Sequence, residues 1–196
     1  ANLTGADLSA AFAGSDVVVH CAALIRARDE ASFRRVNVDG TAAAVTAVEQ
    51  VGARLVLVSS QAAGGQGTPL APRREDDPPM PVNAYGRSKL ASEVVVRAST
   101  APWTIVRPCA VYGPRDHGFL ALFRLVRRGI FLMPARPDTA FTLIYIDDLV
   151  QAILRAAVVD AALGQTCFIG HPEPRTGAQV LETIAAEMRR RWPDVG

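Results

Sequence analysis

Lysine is almost absent from this chain. Of its 21 Lys and Arg residues only Lys89 is a lysine. Neither sign of charge dominates: the formal net charge is +2 and 20% of residues are charged, so nothing argues for nucleic acid or an anionic membrane as partner. No apolar run is long enough to span a bilayer, and no signal-peptide pattern is present. Cys21, Cys109 and Cys167 are odd in number, widely spaced and set in apolar runs. They read as buried thiols in a reducing cytoplasm, which excludes a disulfide frame. His20, His117 and His171 are scattered, which excludes zinc spacing. Arg124, Arg127 and Arg128 share a helical spacing that reads as a solvated face. The chain opens on Ala1 without Met and reads as a fragment.

What is present is a globular composition, 49% hydrophobic over 196 residues, enough for one good core. Val17 to Cys21 and Leu55 to Val58 are short continuous apolar runs, as expected of strands buried on both faces. Trp103 to Val106, Leu143 to Ile146 and Cys167 to Ile169 read likewise. Between them lie helical segments: Ala31 to Val51, stopped by Gly52; Asn83 as N-cap of a helix to Ser99; Phe119 to Arg128, stopped by Gly129; Asp147 to Val158; and Thr176 capping a last helix to Arg191. Residues 61–82 read as a long loop. Strand alternating with helix predicts an α/β fold, a parallel sheet covered by helices on both faces in three layers. In such sheets ligands lie beyond the carboxyl ends of the strands. That rule brings Cys21-Ala22-Ala23, Ser59-Ser60 and Pro108-Cys109 to one crevice.

The lone lysine falls in Tyr85-Gly86-Arg87-Ser88-Lys89. The i,i+4 spacing puts Tyr85 and Lys89 on one helix face. A phenol beside an ammonium makes an acid/base unit, and the positive charge is expected to lower the phenol's pKa. An ordinary surface pair is the bland alternative on spacing alone.

Six motifs in order carry a resemblance: His20-Cys21-Ala22-Ala23, Asn37-Val38-Asp39-Gly40-Thr41, Val58-Ser59-Ser60, Tyr85 to Lys89, Arg107-Pro108 with Val111-Tyr112-Gly113-Pro114, and Ile146-Asp147-Asp148. They resemble the extended short-chain dehydrogenases/reductases, the NAD-dependent epimerase/dehydratase family. The resemblance implies a Rossmann-like doubly wound fold, with the chain one incomplete NAD(P)-binding domain over 1–196. Parts of a substrate-binding region fall near 109–142 and 167–196. It implies Ser60, Tyr85 and Lys89 as the catalytic set. Ser60 hydrogen-bonds the reacting oxygen, Tyr85 is the acid/base, and Lys89 holds the nicotinamide ribose. Ala22, Ala23, Leu24, Asn37, Pro108 and Val111 join Tyr85 and Lys89 in holding NAD or NADP. Asn37 either touches the cofactor or braces the crevice, and Cys109 is a small apolar filler. Family members often dimerise through helices at about 31–52 and 83–99, so a homodimer is possible.

The family's glycine-rich turn and the strand that selects NAD or NADP are not in this sequence, so weak cofactor binding by the isolated chain is expected. Gln61-Ala62 stand where sugar dehydratases carry Asp-Glu, which argues against dehydration. Phe141 stands where many epimerases carry a diphosphate-gripping Arg. Arg115, Arg124 and Arg136 remain candidates for that task. These departures favour hydride transfer at a hydroxyl or carbonyl carbon of a small sterol-, flavonol- or sugar-like substrate. A nucleotide-sugar epimerase is the nearest alternative, and a non-catalytic NAD(P)-sensing or scaffold protein is the second.

Overall fold

The structure is a computed structural model describing residues 8–68, 71–131 and 139–191. The chain forms two compact units, one from Ala1–Cys109 with Val150–Ile169, the other from Ala110–Leu149 with Gly170–Gly196.

The first unit is built on four parallel strands, β1 (Val17–His20), β2 (Arg54–Val58), β3 (Trp103–Pro108) and β7 (Thr166–Ile169), in the order β1-β2-β3-β7. Their apolar runs have the expected cause. Leu55, Val56, Leu57, Ile105 and Val106 are fully buried because both sheet faces are covered. Alternate residues serve opposite faces. Val18, Leu55, Leu57 and Ile105 pack with Val45 and Val48 of α3 (Gly40–Val51) and Val96 of α5 (Ala84–Arg97). Val56 and Val106 pack with Ile153, Ala156 and Ala157 of α7 (Ile146–Val158). Each fully buried Leu, Ile or Val contributes about 1.5–3 kcal/mol, so the central strands β2 and β3 hold most of this core.

Helix boundaries follow side-chain chemistry. Asn83 Oδ1 accepts from the Gly86 amide at 2.7 Å and starts α5. Gly52, in the left-handed region at φ 71°, ends α3 as the sequence predicts. The expected helix from Ala31 is interrupted. It runs as α2 (Glu30–Phe33), then a π-helical stretch over Arg34–Asp39, then α3. The expected loop 61–82 begins with a single turn, α4 (Gln61–Gly64), capped by Ser60. Beyond it the loop is tied down. Arg73 donates to the Gly64 carbonyl at 3.0 Å, and Glu75 accepts from the Phe168 amide of β7 at 3.0 Å.

The second unit pairs β4 (Ala110–Tyr112) in parallel with β6 (Leu143–Tyr145), and β5 (Ala140–Phe141) antiparallel with β8 (Arg175–Thr176). Its core joins Val126 of α6 (His117–Val126) to Val180, Leu181, Ile184 and Ala185 of α8 (Gly177–Arg191). Asp116 caps α6, so that helix starts two residues earlier than its apolar pattern suggests. Among the described residues no helix is long and apolar enough to cross a membrane, and no group of His, Cys, Asp and Glu is placed to hold a metal.

The expectation of buried thiols needs correction. Cys21 is exposed, because it follows the last residue of β1, and Cys109 and Cys167 are half-buried.

Candidate functional site

Sheet order puts the carboxyl ends of β1, β2 and β3 side by side, and Ser60 and Pro108 come from neighbouring strand ends. Beyond β2, Ser59 and Ser60 lead into α4. The Ser60 hydroxyl oxygen accepts from the Ala62 amide at 3.2 Å, so its proton is left for another acceptor. The Ser60 hydroxyl also lies close enough to Tyr85 to favour its phenolate. One hydroxyl thus caps the short helix and acts on the tyrosine.

Tyr85 lies in the first turn of α5, with its ring tilted against Phe33 at a centroid distance of 6.1 Å. Gly86 follows for a steric reason. A Cβ there would collide with the Ala62 carbonyl oxygen and press on Pro81. α4 and α5 therefore approach backbone to backbone, which brings Ser60 to Tyr85.

Lys89, one turn further on, is 3% exposed. Its Nζ donates to the Val58 carbonyl at the end of β2, at 2.8 Å. Burial lowers its pKa to about 8, against the opposing charges of Glu93 and Cys21. The Tyr85 phenol behaves differently from the expectation. Its pKa is raised, because burial disfavours the phenolate, and the Ser60 hydroxyl only partly opposes this. The lowering expected from Lys89 is not what the packing delivers: the ammonium is directed at Val58.

Asn37 sits in the π-helical stretch and is 1% exposed. Its Oδ1 accepts from the Leu24 amide at 2.7 Å; its Nδ2 donates to the Leu24 carbonyl at 3.0 Å and to Ser88 Oγ at 2.8 Å. The amide braces the loop after β1 against α5. Its carbonyl accepts from Thr41 and Ser92 hydroxyls at 2.6 and 2.7 Å, which uses the acceptor freed by the wider helical turn. His20 Nε2 lies 3.1 Å from Thr41 Oγ1. The Thr41 proton is already donated to Asn37, so Nε2 must carry the hydrogen of that pair. Burial and the nearby Lys89 charge lower the His20 pKa to about 4.

In the same loop Ala22 is exposed while Ala23 and Leu24 are half-buried; Pro108 is buried at the end of β3. Val111 lies half-buried in β4 of the second unit. Phe141 packs against the apolar cluster of α6 and α8, so its side chain serves the core of that unit. Arg115 is exposed, with a left-handed φ of 72°, and Arg136 lies outside the described residues. The sequence reading missed Glu93, and it quoted Arg107 only as part of a motif, without a role. Both are buried and paired behind Ser59, and their only signal is a charge of each sign inside an apolar run.

The donor set suits a dinucleotide. An ammonium has three protons, and Val58 takes one of them. Two remain, enough for a vicinal diol, beside small side chains that let backbone approach.

A parallel sheet with helices on both faces and polar groups at its strand ends defines the Rossmann-like class of α/β proteins. The chain belongs to the NAD dependent epimerase/dehydratase family, which matches residues 1–170. It is 39% identical over 135 residues to a ceramide reductase of Caulobacter vibrioides, covering 69% of this chain and 38% of that protein. A UDP-glucose 4-epimerase of Mycolicibacterium smegmatis is 32% identical over 175 residues, covering 80% of this chain and 56% of that protein. Among solved structures, MoeE5 in complex with UDP-glucuronic acid and NAD superposes with a TM-score of 0.82 at 25% identity, covering 95% of this chain and 67% of that one. The chain spans about half the length of the curated relatives it matches.

Proposed function

We propose that the chain is the catalytic portion of an NAD(P)-dependent oxidoreductase that acts at a hydroxyl or carbonyl carbon of a small substrate. The observation that carries this reading is the Ser60 hydroxyl beside the Tyr85 phenol, one turn from the lone, buried Lys89. Tyr85 exchanges a proton at Oη with the substrate oxygen. Ser60 fixes the phenol and offers its hydroxyl to the same oxygen. Lys89, anchored on Val58, presents its remaining protons to ribose hydroxyls. Ala22, Ala23, Leu24 and Pro108 line the strand ends where a dinucleotide is held. When bound, NAD or NADP supplies reversible two-electron chemistry.

A reductase or dehydrogenase is favoured over an epimerase. Phe141 cannot grip a diphosphate, while Gln61 and Ala62, which cannot transfer protons, argue against dehydration. The ceramide reductase likeness supports the same choice. The epimerase reading draws on the UDP-glucose 4-epimerase relative and on MoeE5. Three widely spaced cysteines support a reading of thiols in a reducing cytoplasm. α5, which leaves Val94 exposed, offers one face for a homodimer.

The test is nicotinamide absorbance with candidate alcohols, ketones and UDP-sugars. Turnover of a neutral alcohol or ketone, lost by roughly 10²–10⁴-fold in Tyr85→Phe, is expected. Preferential turnover of UDP-sugars would move the assignment to the epimerase. Cofactor binding without turnover of any of them would leave the sensor.

A further inference from the structure

The helix carrying Tyr85 and Lys89 also holds a buried carboxylate to which the roles above give no task. Glu93 follows Lys89 by one turn and is fully buried. An unpaired carboxylate at such a place would be strongly unfavourable. It is fully engaged instead. Oε1 accepts from the Ser59 hydroxyl at 2.6 Å and from Arg107 Nε at 2.9 Å. Oε2 accepts from Arg107 Nη2 at 2.7 Å and from Arg97 Nη2 at 2.9 Å. Arg107 meets it with a two-pronged fork, and the same guanidinium lies over the Phe168 ring, 5.3 Å from its centroid. Burial pushes the carboxyl's pKa up. The hydrogen bonds from Arg107 and Ser59, with the Arg107 and Arg97 charges, outweigh it and hold Glu93 below the usual range.

A buried ion pair is poor value as a stabiliser, because apolar residues of equal volume often do as well. This one touches the site at Ser59 and acts on Lys89 through its charge. Ser59 is the residue before Ser60, and Lys89 lies one turn back on the same helix. We propose that Glu93 is a positioning residue of this site: clamped by Arg107, its carboxylate anchors Ser59 and with it Ser60, and it supplies the negative charge that faces the Lys89 ammonium. Its value to catalysis rests on the oxidoreductase reading; the link between the two side chains does not.

The surroundings make that link readable. Around Lys89 stand His20 of β1, Cys21 just beyond it, Tyr85 and Glu93 of its own helix, and, through Glu93, Arg107 of β3. Arg107 also lines a cavity of about 480 Å³ together with Glu75, Asp76, Asp77 and Arg97. His20, with its pKa near 4, is neutral above pH 6. Burial pushes the Cys21 thiol and the Tyr85 phenol up, and the charge of Cys21 acts on Lys89 beside that of Glu93. Among the groups nearest Lys89, Glu93 and its arginines carry the fixed charge.

Because Lys89 is the single lysine, ¹³C-lysine labelling of the chain gives one side-chain resonance to titrate. The wild-type midpoint is expected near 8. Glu93→Gln keeps the volume and an acceptor for Ser59 but removes the charge, and the midpoint should fall by at least threefold in proton affinity. Arg97→Gln, at a half-exposed site where folding is not at stake, removes a cation that offsets Glu93 and should move the midpoint up. An unmoved midpoint in Glu93→Gln overturns the proposal; if that variant does not fold, an unmoved midpoint in Arg97→Gln does so. Ser59→Ala should leave the midpoint in place while lowering kcat of the cofactor-loaded protein, and an unchanged kcat would remove the anchoring half of the proposal. A wild-type protein without turnover would strike at the oxidoreductase reading and leave the titration standing.

Discussion

The Lys89 ammonium is held on the Val58 carbonyl at 2.8 Å, inside the protein, at the cost of much of its hydration. Its folded pKa of about 8 lies below the ordinary lysine value of 10.5. Below pH 8 the native state therefore carries a charge that the unfolded chain solvates better. The difference is about 3 kcal/mol. Lys89→Met should be more stable than wild type at pH 7 by about 1–2 kcal/mol, after loss of a hydrogen bond worth about 1 kcal/mol. The wild type should gain on the variant as pH rises from 8 to 10.5, where the unfolded chain binds the extra proton. Urea unfolding at pH 7 and pH 10 checks both the sign and the window.

The Ser60 hydroxyl lies close to Tyr85 and favours its phenolate. Ser60→Ala should push the Tyr85 pKa further up. The chain has three tyrosines, so the ultraviolet phenolate titration of Tyr85→Phe, subtracted from that of wild type, isolates the one concerned. A downward shift in Ser60→Ala would show that the serine does not favour the phenolate.

His20 is buried as the neutral ring, with a folded pKa of about 4 against 6.5. Between those values the unfolded chain binds more protons, so stability is complete above pH 6.5 and falls as pH drops towards 4. The loss is about 3 kcal/mol. His20→Gln retains a donor for Thr41 and should flatten this segment of the stability–pH curve, measured by denaturant midpoints across pH 4–7.

Gly86→Ala should destabilise the chain by about 1–3 kcal/mol, since the added methyl presses on the Ala62 backbone rather than on a side chain able to swing away. The same shift would part Ser60 from Tyr85. In the full-length protein kcat should fall more than the stability loss explains, measured well below the variant's melting temperature.

The central strands could be read from sequence because burial on both faces leaves a continuous apolar run, as in Leu55-Val56-Leu57-Val58. The two- and three-residue strands at Ala110, Ala140 and Arg175 leave no periodic trace. Nor does the π-helical stretch around Asn37, where the backbone changes its bonding register and the composition does not. Tyr85 and Lys89 stood out through spacing and scarcity. The direction of the tyrosine's pKa did not, because it depends on how deeply the phenol is packed. Glu93 and Arg107 lie far apart in sequence, and only the fold reveals that they share a dry interior.

Glu75 accepts from the Phe168 amide of β7, the outer strand of the four-stranded sheet. An unpaired N–H on an outer strand is a template on which another chain can zip. By filling it with a charged carboxylate from its own loop, the protein blunts that margin at Phe168. Glu75→Ala, harmless to the chemistry, would reopen it and leave the protein prone to self-association.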